Sequence, residues 1–171
     1  IVATDTKNLA DSVKAAKEKG IKVIAYDRLI ENAGVDLFVT FDSEKVGQIM
    51  GQQLVKKFPS GGNIIKIWGS PTDHNVELLD KGVTDVLPEN KFKVLSKSYA
   101  KDWLAEHAFD VITEYYNSGG GDLDAIICGN DDLATQAVRA LSEQRLAGRV
   151  YVIGQDGDLI ACQRIVEGTQ A

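Results

Sequence analysis

Short apolar runs alternate along the chain with segments whose apolar residues recur every three or four positions. The runs are bounded by Gly, Pro, Asn or Asp and are typical of strands buried in a parallel sheet. They span residues 22–26, 37–41, 64–68, 92–98, 125–128 and 150–153. The intervening segments predict helices that pack by one face. From residue 63 onward the order is four β-α units, which predicts an α/β fold with a parallel, doubly wound sheet and right-handed crossovers.

Several of the predicted strands end in polar side chains. The polar tips are Asp27-Arg28, Asp73-His74-Asn75, Asn130-Asp131-Asp132 and Gln155-Asp156. Open α/β sheets bind ligands in the crevice beyond the carboxyl ends of their strands. Tips that carry carboxylates, amides and a guanidinium therefore predict one crevice for a small, hydroxyl-rich molecule.

The Asp27-Arg28 pair and Trp103 each have two possible interpretations. An adjacent Asp27 and Arg28 would ordinarily form a surface salt bridge of small energy. At the end of a buried strand a ligand contact is favoured instead, because Arg presents a rigid fork of donors and Asp accepts from hydroxyls. Trp103, at a strand-to-helix junction, either packs over a helix end or stacks on a ligand ring.

Other polar residues are expected to have local roles. Asp42 or Ser43 can cap the amphipathic segment that follows them, and Asp42 is interpreted as a cap only. Asp131 or Asp132 is expected to cap the helix after strand 125–128. His74 lacks a partner at the spacing of a catalytic pair. The glycine run 119–121 follows a helix and precedes a strand, the reverse of a phosphate-binding loop, so it is interpreted as a connector.

Composition excludes several functional classes. The 171 residues are 44% apolar and carry a net charge of −6 that is spread along the chain, so no basic face indicates nucleic-acid binding. Cys128 and Cys162 have no metal-ligand spacing and are expected to be buried small hydrophobes, a disulfide or a reactive thiol being the alternative. We expect no metal, no cofactor and no catalytic residues, hence no enzyme.

The first third of the chain is too short for a complete domain. The chain begins with Ile-Val-Ala-Thr, as if within a strand, so we expect a fragment of a longer protein. The residues before 63 are interpreted as the closing segment of a preceding domain and the connection into the next one. No signal peptide is visible in the residues themselves.

Six motifs in one collinear order resemble the bacterial D-xylose-binding proteins, a family within the type I periplasmic binding proteins. They are Ala25 to Ile30, Phe41 to Gly47, Gly69 to Asn75, Gly129 to Asp131, Gly154 to Asp156 and Gly168 to Gln170. The resemblance implies a two-lobed protein that closes around a monosaccharide, with D-xylose as the expected sugar. It implies an extracytoplasmic location and delivery to an ABC transporter permease or a membrane sensor kinase.

The resemblance also assigns residues and lobes. Residues 1–40 would be the closing segment of the N-terminal lobe and the hinge crossover, and 41–171 the C-terminal lobe without its final return segment. The implied ligand-binding residues are Asp27 and Arg28 from the first lobe and Asn75, Trp103, Asn130 and Asp156 from the second.

One position departs from the family pattern, because Asp80 stands where relatives carry an arginine on the helix of Asn75. The main alternative function is the inducer-binding core of a lactose-repressor-type regulator, which shares this fold. An upstream helix-turn-helix would establish that alternative. A doubly wound enzyme is a more distant one, to be tested with a sugar phosphate.

Overall fold

The structure is a computed structural model and describes residues 1–3 and 5–171. Helices and strands alternate along the described chain. The strands are β1 (Ile24–Tyr26), β2 (Leu37–Val39), β3 (Gly62–Trp68), β4 (Phe92–Tyr99), β5 (Ala125–Cys128) and β6 (Tyr151–Ile153). The helices are α1 (Ala10–Glu18), α2 (Ser43–Lys57), α3 (His74–Val86), α4 (Glu106–Asn117), α5 (Asp131–Glu143) and α6 (Leu159–Glu167), with a 3-10 turn at Lys101–Trp103.

The larger sheet has the order β4-β3-β5-β6 and is parallel throughout. Helices α2 and α3 pack on one face, where Leu54 and Leu79 meet Ile64 and Ile127. Helices α4 and α5 cover the other face, where Ile112, Leu133 and Leu141 meet Ile65 and Ile126. Because both faces are covered, β5 is buried at every position, as an all-apolar strand requires. The α/β doubly wound fold predicted from the sequence is confirmed.

Helices α2 and α3 are in unusually close contact. A Cβ atom on Gly47 would lie 2.2 Å from the carbonyl oxygen of Leu79, and one on Gly82 would lie 2.0 Å from that of Glu44. Only glycine allows the two backbones to approach this closely. The contact fixes α3, whose N-terminus carries Asn75.

A smaller parallel sheet, β1-β2, has its own core against α1, formed by Val13, Val23, Ala25 and Ile30 among others. The main chain of Ile1 lies beside β1, donating to Ile24 O at 2.7 Å and accepting from Tyr26 N at 2.8 Å. Residues 1–3 do not form the strand expected at residues 1–4, although Ile1 makes these two bonds to β1. Thr4 lies outside the described residues.

Two local expectations need correction. Asn130, rather than Asp131 or Asp132, is the N-cap of α5, and its Oδ1 accepts from Leu133 N at 2.9 Å. Asp131 is instead buried and bonded to other segments. The expected cap of α2 is confirmed, since Asp42 accepts from Lys45 N.

Helix α6 does not bury the face that its periodicity predicted. Its one buried residue is Ala161, while Leu159 and Val166 are 78% and 89% exposed. Cys162 is therefore exposed rather than buried, because it lies on the uncovered side of α6, whereas Cys128 is buried as expected. Apolar spacing shows which side of a helix could be buried, not whether another element covers it.

Candidate ligand-binding cleft

The six residues predicted from the sequence line one cleft of about 220 Å³ between the small sheet and the carboxyl edge of the large one. That volume lies below the roughly 300–1,000 Å³ of sites for drug-sized molecules and suits a smaller ligand. The lining residues are Asp27, Arg28, Phe41, Asp73, Asn75, Leu79, Trp103, Asn130, Gln155 and Asp156. Strand ends from both sheets thus converge on a single cleft.

An ion pair between Arg28 and Asp73 crosses this cleft. Arg28 follows β1, and its Nε lies 2.7 Å from Oδ2 of Asp73 at the start of α3. A second guanidinium nitrogen donates to Ala3 O at 3.2 Å. The neighbouring Asp27 carboxylate is farther away, at 3.8 Å. Arg28 is therefore paired mainly with a residue of the other sheet.

Asp73 is 1% exposed and caps α3. Its Oδ1 accepts from Asn75 N at 3.0 Å, and its Oδ2 accepts from the indole Nε1 of Trp103 at 3.2 Å as well as from Arg28. Burial raises the pKa of the Asp73 carboxyl above its ordinary value, although the Arg28 guanidinium opposes that shift. The carboxylate thus contacts three of the residues predicted to bind ligand.

Asn75 lies in the first turn of α3 and is largely buried. Its side-chain Nδ2 donates to the main-chain oxygen of Asp27 at 3.3 Å. This bond also spans the cleft, and it leaves the amide oxygen of Asn75 available to a ligand. Asn130 is in the opposite situation, because its oxygen caps α5 and its Nδ2 group remains as the donor.

The half-buried indole of Trp103 packs on the main chain at the ends of β3 and β5. A Cβ atom on Gly69 would lie 2.3 Å from the indole, and one on Gly129 would lie 3.3 Å from it. The Arg28 guanidinium carbon is 5.8 Å from the centre of the ring, within the range of a cation–π contact. Trp103 therefore packs on the ends of two strands and forms a wall of the cleft. Stacking of its indole on a ligand ring stays a prediction.

Three of the six predicted residues have a left-handed main-chain conformation. The φ angles are 66° at Asp27, 59° at Trp103 and 110° at Asp156. Such angles cost about 1–3 kcal/mol each in residues other than glycine and concentrate at functional sites. Three residues with a strained main chain therefore line one cleft.

Asp156 lies in the loop after β6, which Asp131 anchors. The Oδ2 atom of Asp131 accepts from the main-chain nitrogens of Gly157 and Asp158 at 2.9 and 3.0 Å. Its Oδ1 accepts from Nε2 of Gln170 at 2.7 Å. Partial burial raises the pKa of Asp156 to about 6, and the carboxylates of Asp131, Asp158, Asp132 and Asp27 add to the shift.

Sequence reasoning missed four residues of the cleft: Phe41, Asp73, Leu79 and Gln155. Asp73 and Gln155 stand within the polar tips that were recognised, so their positions were a usable signal. Phe41 is the last residue of the apolar run 37–41, which contains β2, and was interpreted only as a strand residue. Leu79 carries no sequence signal, since it has the periodicity of an ordinary core position.

Asp80 does not line the cleft. Its carboxylate faces strands β3 and β4, where it accepts from Lys66 Nζ at 2.8 Å, Trp68 Nε1 at 3.0 Å and Lys97 Nζ at 2.6 Å. His74 also lies outside the lining and is 3.5 Å from Glu77. Asp80 therefore has a role in packing α3 on the sheet, and its carboxylate is not part of the cleft lining.

Across residues 1–3 and 5–171, no group of three or more His, Cys, Asp and Glu side chains has the arrangement of a metal site. None of the helices in the same residues combines the length and hydropathy that crossing a membrane requires.

Comparison with known proteins adds the family context. A family model described as "Periplasmic binding protein domain" matches residues 1–171. The D-xylose-binding periplasmic proteins of Haemophilus influenzae and Escherichia coli are 40% and 38% identical to this chain, over 99% of its residues and 52% of theirs. The chain thus spans about half the length of the curated relatives it matches.

A solved structure gives the same result at the level of the fold. The Caulobacter myo-inositol binding protein, bound to myo-inositol, superposes with a TM-score of 0.91 and is 29% identical, over 99% of this chain and 58% of that one.

Proposed function

Because this chain belongs to the periplasmic binding protein family, we propose that it binds a monosaccharide, D-xylose in the first place, in the cleft lined by Arg28 and Trp103. The single observation that carries the proposal is the convergence of six polar or aromatic residues, which follow five different strands, on one small cleft.

The chemistry of the lining suits a sugar. Each hydroxyl both donates and accepts, so it needs acceptors such as Asp27 and Asp156 beside donors such as Arg28. The amide oxygen of Asn75 and the amide nitrogen of Asn130 supply one further group of each kind. The indole of Trp103 covers the apolar face that a pyranose or furanose ring presents.

The hydrogen bonds that this cleft can form with a sugar supply enough free energy for micromolar binding. A hydrogen bond to a charged group contributes roughly 1.5–3 kcal/mol and a neutral one about 1 kcal/mol. Five such bonds, less the cost of ordering the ligand and the side chains, support micromolar binding, about −8 kcal/mol. No covalent step is needed.

In the whole protein, residues 1–40 would end the first lobe and residues 41–171 would form most of the second. Ligand would bridge the lobes and favour their closed arrangement. We further propose that the closed protein delivers the sugar, outside the cytoplasm, to an ABC transporter permease or a membrane sensor kinase. The relatives described above are binding proteins, not enzymes, and none of them favours the lactose-repressor-type alternative.

The test is a calorimetric titration of the intact protein with D-xylose, followed in parallel through tryptophan emission. Trp68 is fully buried, whereas Trp103 lines the cleft, so the emission change should vanish in Trp103→Phe. Asp156→Ala should weaken binding without unfolding the protein. Absence of binding for any pentose or hexose at millimolar concentration would refute the proposal.

A further inference from the structure

Asp73 makes more contacts than helix capping requires. Its Oδ1 performs the capping role by accepting from Asn75 N. Its Oδ2 has a separate pair of donors, Arg28 Nε and Trp103 Nε1. Those two donors come from opposite sides of the cleft, one after β1 and the other from the turn that precedes α4.

A second capping aspartate in the same chain shows the difference. Asp42 caps α2 from an exposed position, with one bond to Lys45 N at 2.9 Å. Asp73 is buried, and burying a carboxylate has a cost in free energy that a cap alone does not offset. The paired guanidinium and the indole N–H supply the compensating bonds.

We infer that Asp73 is the positioning residue of this ligand site, holding Arg28 and Trp103 in their ligand-binding orientations and joining residues 1–40 to α3 when the cleft is closed. The inference rests on the proposed function for its ligand. It assigns Asp73 no contact with sugar; its effect passes through the two side chains that it fixes.

The geometry explains why such a residue matters. With Nε bonded to Asp73 and a terminal nitrogen bonded to Ala3 O, the remaining edge of the guanidinium is the part that can donate to a ligand. The indole is fixed by its N–H bond to Asp73 and by packing on Gly69. Side chains ordered before binding lower the entropic cost of binding.

The experiment compares Asp73→Asn with Asp42→Asn by calorimetry and stopped-flow with D-xylose. Each substitution keeps a capping oxygen and removes one charge, but only the first removes the carboxylate from Arg28. We expect Asp73→Asn to weaken affinity about tenfold or more, mainly through faster dissociation, as loss of a charge-assisted bond implies. Asp42→Asn should bind like the unmodified protein. Equal affinity in all three proteins would overturn the inference.

A sugar-free measurement separates this inference from the proposed function. In a Trp68→Phe background, acrylamide should quench Trp103 emission more strongly after Asp73→Asn than after Asp42→Asn. If the unmodified protein binds no monosaccharide, the proposed function fails. If acrylamide quenches Trp103 emission equally in Asp73→Asn and Asp42→Asn, the positioning role fails as well. Asp73→Ser, which also retains a capping oxygen, replaces Asp73→Asn in both experiments if the latter does not fold.

Discussion

The indole of Trp103 lies against the main chain of Gly69 so closely that a Cβ atom on Gly69 would be 2.3 Å from three of its ring carbons. Ordinary contacts between such atoms begin near 3.4 Å, so no side chain larger than hydrogen fits there. Gly69 follows β3 and is buried beneath the ring. The depth of the cleft at Trp103 is therefore set by the absence of a side chain at residue 69.

Gly69→Ala should push the indole about 1 Å into the cleft and reduce the space for a sugar ring. Overpacking of this kind costs about 1–3 kcal/mol, so we expect roughly tenfold weaker binding of D-xylose. A hexose, which is larger, should lose more. Gly121→Ala is the matched control, because a Cβ atom there has no neighbour within 4 Å. Calorimetry on both variants tests the prediction, and equal affinities would contradict it.

Asp156 should make the folded protein less stable near neutral pH. Its pKa is about 6 in the folded protein against an ordinary value of 3.8, owing to partial burial and to neighbouring carboxylates. The folded state thus holds this proton more tightly than the unfolded state. Its contribution to stability is present below about pH 3.8 and is lost as the pH rises to about 6.

Asp156→Asn should remove the loss of stability that the unmodified protein shows as the pH rises, and it should weaken sugar binding. The free energy of unfolding of the variant, relative to the unmodified protein, should rise between pH 4 and pH 7. Affinity for D-xylose in the unmodified protein should fall as the pH drops below 6, because a protonated Asp156 no longer accepts from a sugar hydroxyl, and the fall should be smaller in the variant. Urea unfolding and calorimetry across this range provide the data, with the exposed loop residue Asp122, changed to Asn, as control.

The sequence was sufficient for the parallel sheet and for six residues of the cleft, because buried strands and polar strand ends both leave local patterns. It did not show the left-handed conformation of Trp103 or the second role of Asp73, since both depend on contacts between segments distant in the chain. The same limit explains Cys162 and Val166. Their spacing is amphipathic, yet the described residues place no element over them.

Asp131 should hold the loop that carries Asp156. Its carboxylate accepts from Gly157 N, Asp158 N and Gln170 Nε2, so Asp131→Asn leaves at least one of these donors without an acceptor. An unsatisfied buried group costs about 1–3 kcal/mol, and we expect a loss of stability of that size with weaker sugar binding. Urea unfolding measures the first effect and calorimetry the second.

The pH dependence of sugar affinity distinguishes the effect of the hydrogen bonds of Asp131 from the effect of its negative charge. Removing the charge should lower the pKa of Asp156, so the pH below which affinity falls should shift downward. Asp132→Asn is the control, because it also removes a carboxylate near Asp156 but lies on the exposed side of α5. It should shift the profile while leaving affinity at pH 8 unchanged. A loss of affinity at pH 8 as large as that of Asp131→Asn would show that the bonds of Asp131 do not matter.

Asp80→Ala should affect stability and not sugar binding, although Asp80 stands where related proteins were expected to carry a ligand-binding arginine. The Lys66 side chain is 5% exposed and would lose its carboxylate partner at 2.8 Å. Breaking one side of a buried ion pair costs about 3 kcal/mol, and Trp68 Nε1 would lose its acceptor as well. Asp85→Ala, which removes an exposed partner of Lys81, should cost less than about 1 kcal/mol. Urea unfolding with calorimetry on each variant tests the prediction. An affinity for D-xylose reduced tenfold in a folded Asp80→Ala protein would show that the contacts of Asp80 with β3 and β4 contribute to the site.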